Sequence, residues 1–566
     1  MRTEITAKHT YRLDLMKWFL FPIGLAAVMI LVVFPLVRMF KGSVFTPEGQ
    51  LSLVYFQNIL NDAALFEAFK NSMMIAVGAT LISLIAGVPM AWAVSRTDIP
   101  LKNFIRNFTT VSMVTPPFLG AIAWIFLLGP GSGKINVLFK NLFQTNITLF
   151  NIFSLEGITF VISMYVYPFV FIYTASALDN MDANLEDAAN ILGSSKWKTA
   201  FKITLPLVAP AIISGAILSF LEALALFGVP AVLGMSRGIF TLTTRIYQLF
   251  NYPPNFEQGA AMAIPLIIIT GILLIFQYMY LRKKQFTIIS GKSSQPMLIR
   301  LGLAKWPVLA YCLLIILLSV IMPYSMLLLI SLSKIWGAQL SLSNLTLDNF
   351  EFILFRYSLS QRSFFNSFFL SFAAATLAVI LGLIIAIYNK RTENLGRRFL
   401  HYMMVLPFAI PGIAMAVAFL WAYIKPPFNL YGTIWILLVA YIARRIPLCY
   451  MNCSDAMGQI NFELEESARI LGASWFKSIL KITIPLLKLS LVSGWMLVFI
   501  TSFRELSASI LLYSPNSEVI AVTIITLFEE GEFEALAALS IIILTITLLF
   551  IAGSRKLVGK GVAQVS

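Results

Sequence analysis

The 566-residue sequence predicts an all-α, polytopic membrane protein of about twelve spanning helices, arranged as two pseudo-symmetric six-helix halves. Three observations carry that reading. Composition is the first: 59% of residues are hydrophobic and 12% charged, and the mean hydropathy is +0.85, values outside the range of a soluble globular chain. The second is the recurrence of apolar runs of the length a bilayer demands. The third is a stretch present twice. Residues 185 to 206 read LEDAANILGSSKWKTAFKITLP and residues 464 to 485 read LEESARILGASWFKSILKITIP, at a constant offset of 279.

Taken in order, residues 1 to 17 are polar and basic, and the apolar run from Trp18 to about Val37 is a spanning helix, too long for a signal-peptide core. Spans follow at about 72 to 94, 108 to 128, 158 to 178, 207 to 233 and 260 to 281. A second set reads at about 306 to 332, 368 to 388, 400 to 423, 430 to 450, 486 to 512 and 534 to 553. The chain therefore divides into a first half at 1–281, a basic, Ser- and Gly-containing linker at 282–305 and a second half at 306–566. The repeat reaches beyond the duplicated stretch. Asn71, Ser72, Arg96 and Thr97 match Asn366, Ser367, Arg391 and Thr392 at an offset of 295, so the first half carries 16 extra residues, placed around 129 to 157 as a loop with a short surface helix. Six spans separate equivalent points, so the halves share one orientation about an axis along the membrane normal. With both termini cytoplasmic, most of the 41 basic residues fall on the inside, among them Arg96, the run at 282 to 284, Lys390, Arg397 and Arg398, and the pair Arg444 and Arg445.

Each copy of the duplicated stretch begins acidic and continues with apolar residues at helical spacing: Leu185, Ala188, Ala189 and Leu192, then Leu464, Ala468 and Leu471. Gly193 or Gly472 stands where a helix ends in a left-handed turn, and a second helical run leads to Pro206 or Pro485 at the first turn of the next helix. This pattern resembles the EAA loop of bacterial ABC importer permeases. Asp187, Ala188, Ala189, Gly193, Ile203, Leu205 and Pro206 fill it once, and Glu466, Ala468, Gly472, Ile482 and Pro485 fill it again, with Asp187 for Glu, Ser467 for Ala and Ile484 for Leu as departures. The resemblance implies a type I importer fold in which the helix before each glycine docks on a cytoplasmic ATPase subunit. It assigns the coupling role to Asp187, Ala188, Ala189, Gly193, Glu466, Ala468 and Gly472. Two copies of that ATPase and a periplasmic substrate-binding protein are the implied partners, and nucleic acid is not one. No cofactor is expected on the chain itself, with ATP and Mg carried by the ATPase subunits.

The sequence offers no phosphate-binding loop of its own. In Gly129-Pro-Gly-Ser-Gly133-Lys134 only three residues separate the outer glycines and Ile135 replaces Ser or Thr, while before Gly291-Lys292-Ser293 the first glycine is Phe286. Cys449 and Cys453 lie one helical turn apart with no further ligand near in sequence and read as buried thiols. No His, Cys or carboxylate constellation points to an enzyme. Charges inside spans are costly and mark partners or aqueous paths. Glu222 in the fifth span and Arg504 with Glu505 in the eleventh are therefore candidates for a translocation path or gate, or for an ion pair between Arg504 and Glu222. Around them EALALFGVPAVLG at 222 to 234, FTLTTRIYQLF at 240 to 250 and SFRELSASILL at 502 to 512 resemble fused two-half permeases of the ferric-iron type. That resemblance implies ferric iron as cargo, in a bacterial inner membrane, with thiamine, aminoethylphosphonate, sugar phosphates and polyamines as alternatives. A secondary transporter driven by an ion gradient is the rival from another class.

Overall fold

The computed structural model describes residues 19–46, 48–181, 184–251, 253–283, 298–337, 341–392 and 395–558. Most of the expected linker and both chain ends lie outside that set. The first half runs through α1 (Phe19–Val44), α2 (Ala63–Arg96), α3 (Lys102–Val114), α4 (Pro117–Leu128), α5 (Leu155–Asn180), α6 (Asn184–Ile191), α7 (Ala200–Ala225) and α8 (Phe256–Leu281). The second repeats it as α9 (Gly302–Ser331), α10 (Ser358–Arg391), α11 (Gly396–Ala409), α12 (Gly412–Tyr423), α13 (Ile434–Gly458), α14 (Glu463–Ile470), α15 (Trp475–Phe503) and α16 (Phe533–Gly553).

Ten of these helices are long and apolar enough to cross a bilayer, among the described residues. The expected spans at 108 to 128 and 400 to 423 are bent pairs instead: α3 meets α4 at 100° and α11 meets α12 at 115°. The cause is local. A proline ring disfavours helical geometry in the residue before it and cannot donate to the preceding turn. Thr115 and Pro116 are extended, with ψ of 145° and 123°, and so are Ile410 and Pro411, with ψ of 119° and 146°. Pro116 and Pro411 stand at the offset of 295, so the break is part of the repeat.

Within each half the same three helices form the centre: α2 packs on α5 and α7, and α10 on α13 and α15. Close approach depends on absent side chains. A Cβ at Gly87 would lie 2.9 Å from Phe171 N, and one at Gly382 2.9 Å from Tyr450 N. Asn71 donates to Phe240 O at 3.0 Å, and Ser72 accepts from Leu242 N at 2.7 Å, at the start of helix Leu242–Leu249. Asn366 and Ser367 do the same for helix Ile520–Glu530, with Glu518 O at 2.9 Å and Ile520 N at 2.8 Å. Each serine accepts from an N–H that a helix start leaves open, and each asparagine donates to a carbonyl just ahead of it.

The first span of each half reaches into the other half while also packing on the last span of its own, α1 on α8 and α9 on α16. Helix α1 packs on α12, where Tyr423 Oη donates to Ile30 O at 2.6 Å. Helix α9 lies against the first half, where Tyr311 Oη donates to Ile85 O at 2.6 Å and Ser319 Oγ meets Tyr167 Oη at 3.3 Å. Past the linker the chain is tied down again: Ile299 N donates to Arg96 O at 2.8 Å, and Leu301 N to the Asp98 carboxylate at 2.9 Å. That backbone donor holds the Asp98 carboxyl below the usual carboxylate range. The extra residues of the first half form helix Lys134–Phe143, with Leu138, Leu142 and Phe143 exposed.

Candidate functional site

Two sets of groups stand out, one at the ends of the spans and one inside them. At the first, α6 ends at Gly193 with φ of +81°, and α14 ends at Gly472 with φ of +90°. In each the chain closes with a six-residue hydrogen-bonded turn, Ser194 N to Ala189 O at 2.9 Å and Ala473 N to Ala468 O at 3.0 Å. Nothing lies within 4 Å of a Cβ built on either glycine, so their backbone, not crowding, excludes other residues. A second helix follows each turn. It runs without a break into α7 or α15 through a wide turn at Ala200–Thr204 or Ile479–Thr483, just ahead of Pro206 or Pro485.

Beneath each turn an acid, half-buried Glu186 or buried Glu465, joins three elements. Arg96 at the end of α2 places Nε 3.2 Å from Glu186 Oε2, and Thr204 donates to Glu186 Oε1 at 2.6 Å. Arg391 at the end of α10 places Nη2 2.8 Å from Glu465 Oε1, which also accepts from Thr483 at 2.9 Å. Buried ion pairs of this kind hold geometry, because removing one member strands the other away from water. The clamped acids precede Asp187 and Glu466, the positions the motif singles out. Of the motif residues, Ala189 is buried, Ala188 exposed, and Glu466 and Ala468 half-buried, while the side chain of Asp187 lies outside the described set.

The apolar stripe expected on these helices divides. Leu192 is 87% exposed and Leu471 88%, with Ile191 and Ile470 each at 85%. These large apolar side chains stand open at matching positions of the two halves.

Inside the membrane Glu505 is buried and bridged by two cations of α13. Arg444 Nη1 reaches its Oε1 and Arg445 Nη2 its Oε2, both at 2.5 Å. The charge pattern of the sequence places these arginines on the inside. They sit midway along α13, where Glu505 compensates them. Arg504 crosses to the other half, but not to Glu222: its Nη1 donates to Val114 O and, at 3.2 Å, to Met113 O, the carbonyls freed where α3 ends. The Glu222 carboxylate has no hydrogen bond or ion pair among the described residues, and the residue is exposed. It lines a cavity of about 70 Å³ with Arg444, Arg445, Thr270 and the α11–α12 break at Pro407–Pro411. Three arginines against two glutamates leave this region one positive charge in excess.

Two helical halves with matching turns, and ionisable groups gathered where Arg504 reaches the other half, fit a membrane transport protein. The chain belongs to the family of binding-protein-dependent transport system inner membrane components, the permeases of ABC importers; the family profile matches it twice, at residues 79–286 and 378–558. It is thus a multi-pass inner-membrane permease. It is similar to the ferric transport system permease protein FbpB of Actinobacillus pleuropneumoniae, 25% identical over 98% of this chain and 81% of that protein. The Fe(3+)-transport system permease protein FbpB 2 of Haemophilus influenzae is 23% identical over 91% of this chain and 94% of its own length. A putative 2-aminoethylphosphonate transport system permease protein PhnV of Salmonella paratyphi A is 29% identical over 40% of this chain and 85% of that protein. Among solved structures, a bacterial ABC transporter involved in alginate import aligns with a TM-score of 0.40 at 16% identity, over 50% of this chain and all of the matched chain.

Proposed function

We propose that this permease imports ferric iron, delivered by a periplasmic binding protein and driven by two copies of a separate cytoplasmic ATPase. The observation that carries the reading is the pair of exposed tips, Ile191-Leu192 and Ile470-Leu471, each held over an Arg–Glu–Thr clamp. Two equal docking ends call for two equal partners. Each tip would enter one ATPase subunit, and the clamp would pass its movement to α2 and α7, or to α10 and α15. Asp187, Ala188, Ala189, Gly193, Glu466, Ala468 and Gly472 shape those ends. ATP and Mg belong to the ATPase, and the permease contributes only differential stability of two conformations.

The orientation, with both termini and both repeats inside, rests on the basic residues near the clamps and on parity. The two repeats face one side only if the α11–α12 pair crosses the membrane once, and the N-terminus shares that side only if the α3–α4 pair does so too. Between the halves, Glu222 offers an uncommitted carboxylate to a hard cation that favours oxygen ligands. Arg504 would act as the gate, since its bonds to the α3 carbonyls join the halves at the break. Cargo identity is supported by the two ferric permeases, which align along nearly the whole chain. A second reading, import of an aminoethylphosphonate-like anion, draws on the excess arginine and on the partial likeness to PhnV.

The test is uptake of labelled ferric iron by vesicles holding the permease, ATPase and binding protein. ATP-dependent uptake, abolished when both tips are changed to serine, is the expected result. Uptake that survives ATP depletion while a membrane potential is held would establish a secondary transporter, and competition by a phosphonate but not by iron would transfer the cargo to the second reading.

A further inference from the structure

The clamps match between halves, but the surface beside them does not. Next to the second clamp lies a cavity of about 330 Å³, lined by Lys390, Arg397, Arg398 and His401 together with Asn389 and Tyr450. Among the described residues none of its three cations has an ion pair; Arg397 donates only to Thr392 O, at 2.9 Å. Tyr450 Oη meets His401 Nδ1 at 2.7 Å and accepts from Asn389 Nδ2 at 2.8 Å, so the wall is built and not loose. Asn389 is 9% exposed, and its Oδ1 is buried with no partner among the described residues.

The offsets of 295 and 279 place Val94, Ser95, Lys102, Asn103, Arg106 and Phe171 at the equivalent positions of the first half. Only two of these are cationic, and Arg106 is closed onto Asp179 by two bonds, at 2.7 and 3.1 Å. The counterpart of Asp179 is Gly458, where a Cβ would lie 3.5 Å from Lys390 Nζ. The second half thus holds one more cation and no counterpart of Asp179, and Asp455, the carboxylate near Tyr450, makes no ion pair with these cations among the described residues. Like charges gathered in one cavity repel unless an anion joins them.

We propose that this cavity binds a phosphate-bearing anion, and that only the second half does so. Lysine and arginine supply the charge-assisted donors a phosphate takes, and Asn389 Oδ1 is placed to accept from a hydroxyl on the same ligand. The shared chemistry belongs to a glycerophospholipid headgroup and to free phosphate. Phe399 and Tyr402, 42% and 62% exposed on the same limb, supply the apolar surface that acyl chains take, which favours the lipid. The inference does not depend on the cargo or on ATPase docking.

The full chain, purified in detergent, is offered phosphatidylglycerol or phosphatidylcholine and its retained lipid is weighed by native mass spectrometry, with a parallel titration by inorganic phosphate. Wild type should retain phosphatidylglycerol selectively, and Lys390→Ser should weaken retention about fivefold, the worth of one cation near a surface. Gly458→Asp, which restores the first half's carboxylate beside Lys390 without a clash, should weaken it at least as much. Lys102→Ser, on the other half, should change nothing. Helical circular dichroism confirms that each variant is folded. Phosphate binding with the same charge dependence, and no lipid selectivity, would assign the site to the free ion. Equal retention of both lipids with no phosphate binding, or equal binding by wild type, Lys390→Ser and Gly458→Asp, would overturn the proposal.

Discussion

Arg96, Glu186 and Thr204 find identical residues in Arg391, Glu465 and Thr483, whereas the charges inside the membrane find no charged counterpart at all. Arg444, Arg445, Arg504 and Glu505 correspond to Tyr165, Val166, Ala225 and Leu226, and Glu222 corresponds to Thr501. On the function proposed above, a surface that meets two copies of one partner keeps its symmetry. A path that meets one cargo is free to lose it, and the polar groups then concentrate where one half supplies charge and the other supplies carbonyls.

The largest effect should come from the asymmetric region. Glu505→Gln strands two buried arginines and should cost about 3–5 kcal/mol, read as a lower unfolding midpoint in detergent. Changing Arg444, Arg445 and Glu505 together to the Tyr, Val and Leu of the first half should recover most of that stability and still abolish transport. A single variant as stable as wild type would mean that the three charges are not coupled.

Next come the clamps, where Glu186→Ala and Glu465→Ala should each cost about 3 kcal/mol, since each leaves a buried arginine without its acid. Equal losses in stability and in ATPase stimulation sharpen the symmetric reading, and a loss confined to one half breaks it. Gly193→Val and Gly472→Val should follow at roughly 1–2 kcal/mol, because a β-branched residue opposes positive φ; their readout is ATPase association, with insertion in the membrane unchanged. The smallest change in stability, within about 0.5 kcal/mol, belongs to Glu222→Gln. Iron uptake should nonetheless fall, and full uptake by that variant would remove Glu222 from the path.

Much of this was readable before any coordinates. The duplication, the two-half layout, the left-handed glycines and the matched Asn–Ser and Arg–Thr pairs all follow from spacing, because both halves answer to the same packing. What spacing does not convey is direction. A hydropathy window scores 108 to 128 as one span although Pro116 and Pro117 turn the chain by 100° within it. The clamp escaped because Arg96 and Glu186 are 90 residues apart. Its signal was nevertheless present, since Arg96, Glu186 and Thr204 recur unchanged in type at their offsets while neighbours such as Asp187 and Ser467 drift. The partners of Arg504 escaped for a different reason: backbone carbonyls leave no trace in composition.

The reach of each first span into the other half bears on how the protein is made. Ile30 waits for Tyr423, 393 residues later in the chain, so α1 must stand in the bilayer, its eventual neighbour unsynthesised, while nearly the whole remainder is threaded through the insertion machinery. Until then the apolar face of α1 is covered by lipid or by a chaperone. Fusion of the halves guarantees that the missing neighbour arrives in equal number and at high effective concentration. Two half-length chains made separately would each carry a first helix with one of its two contact faces unmatched, and their assembly would depend on how quickly they meet in the plane of the membrane.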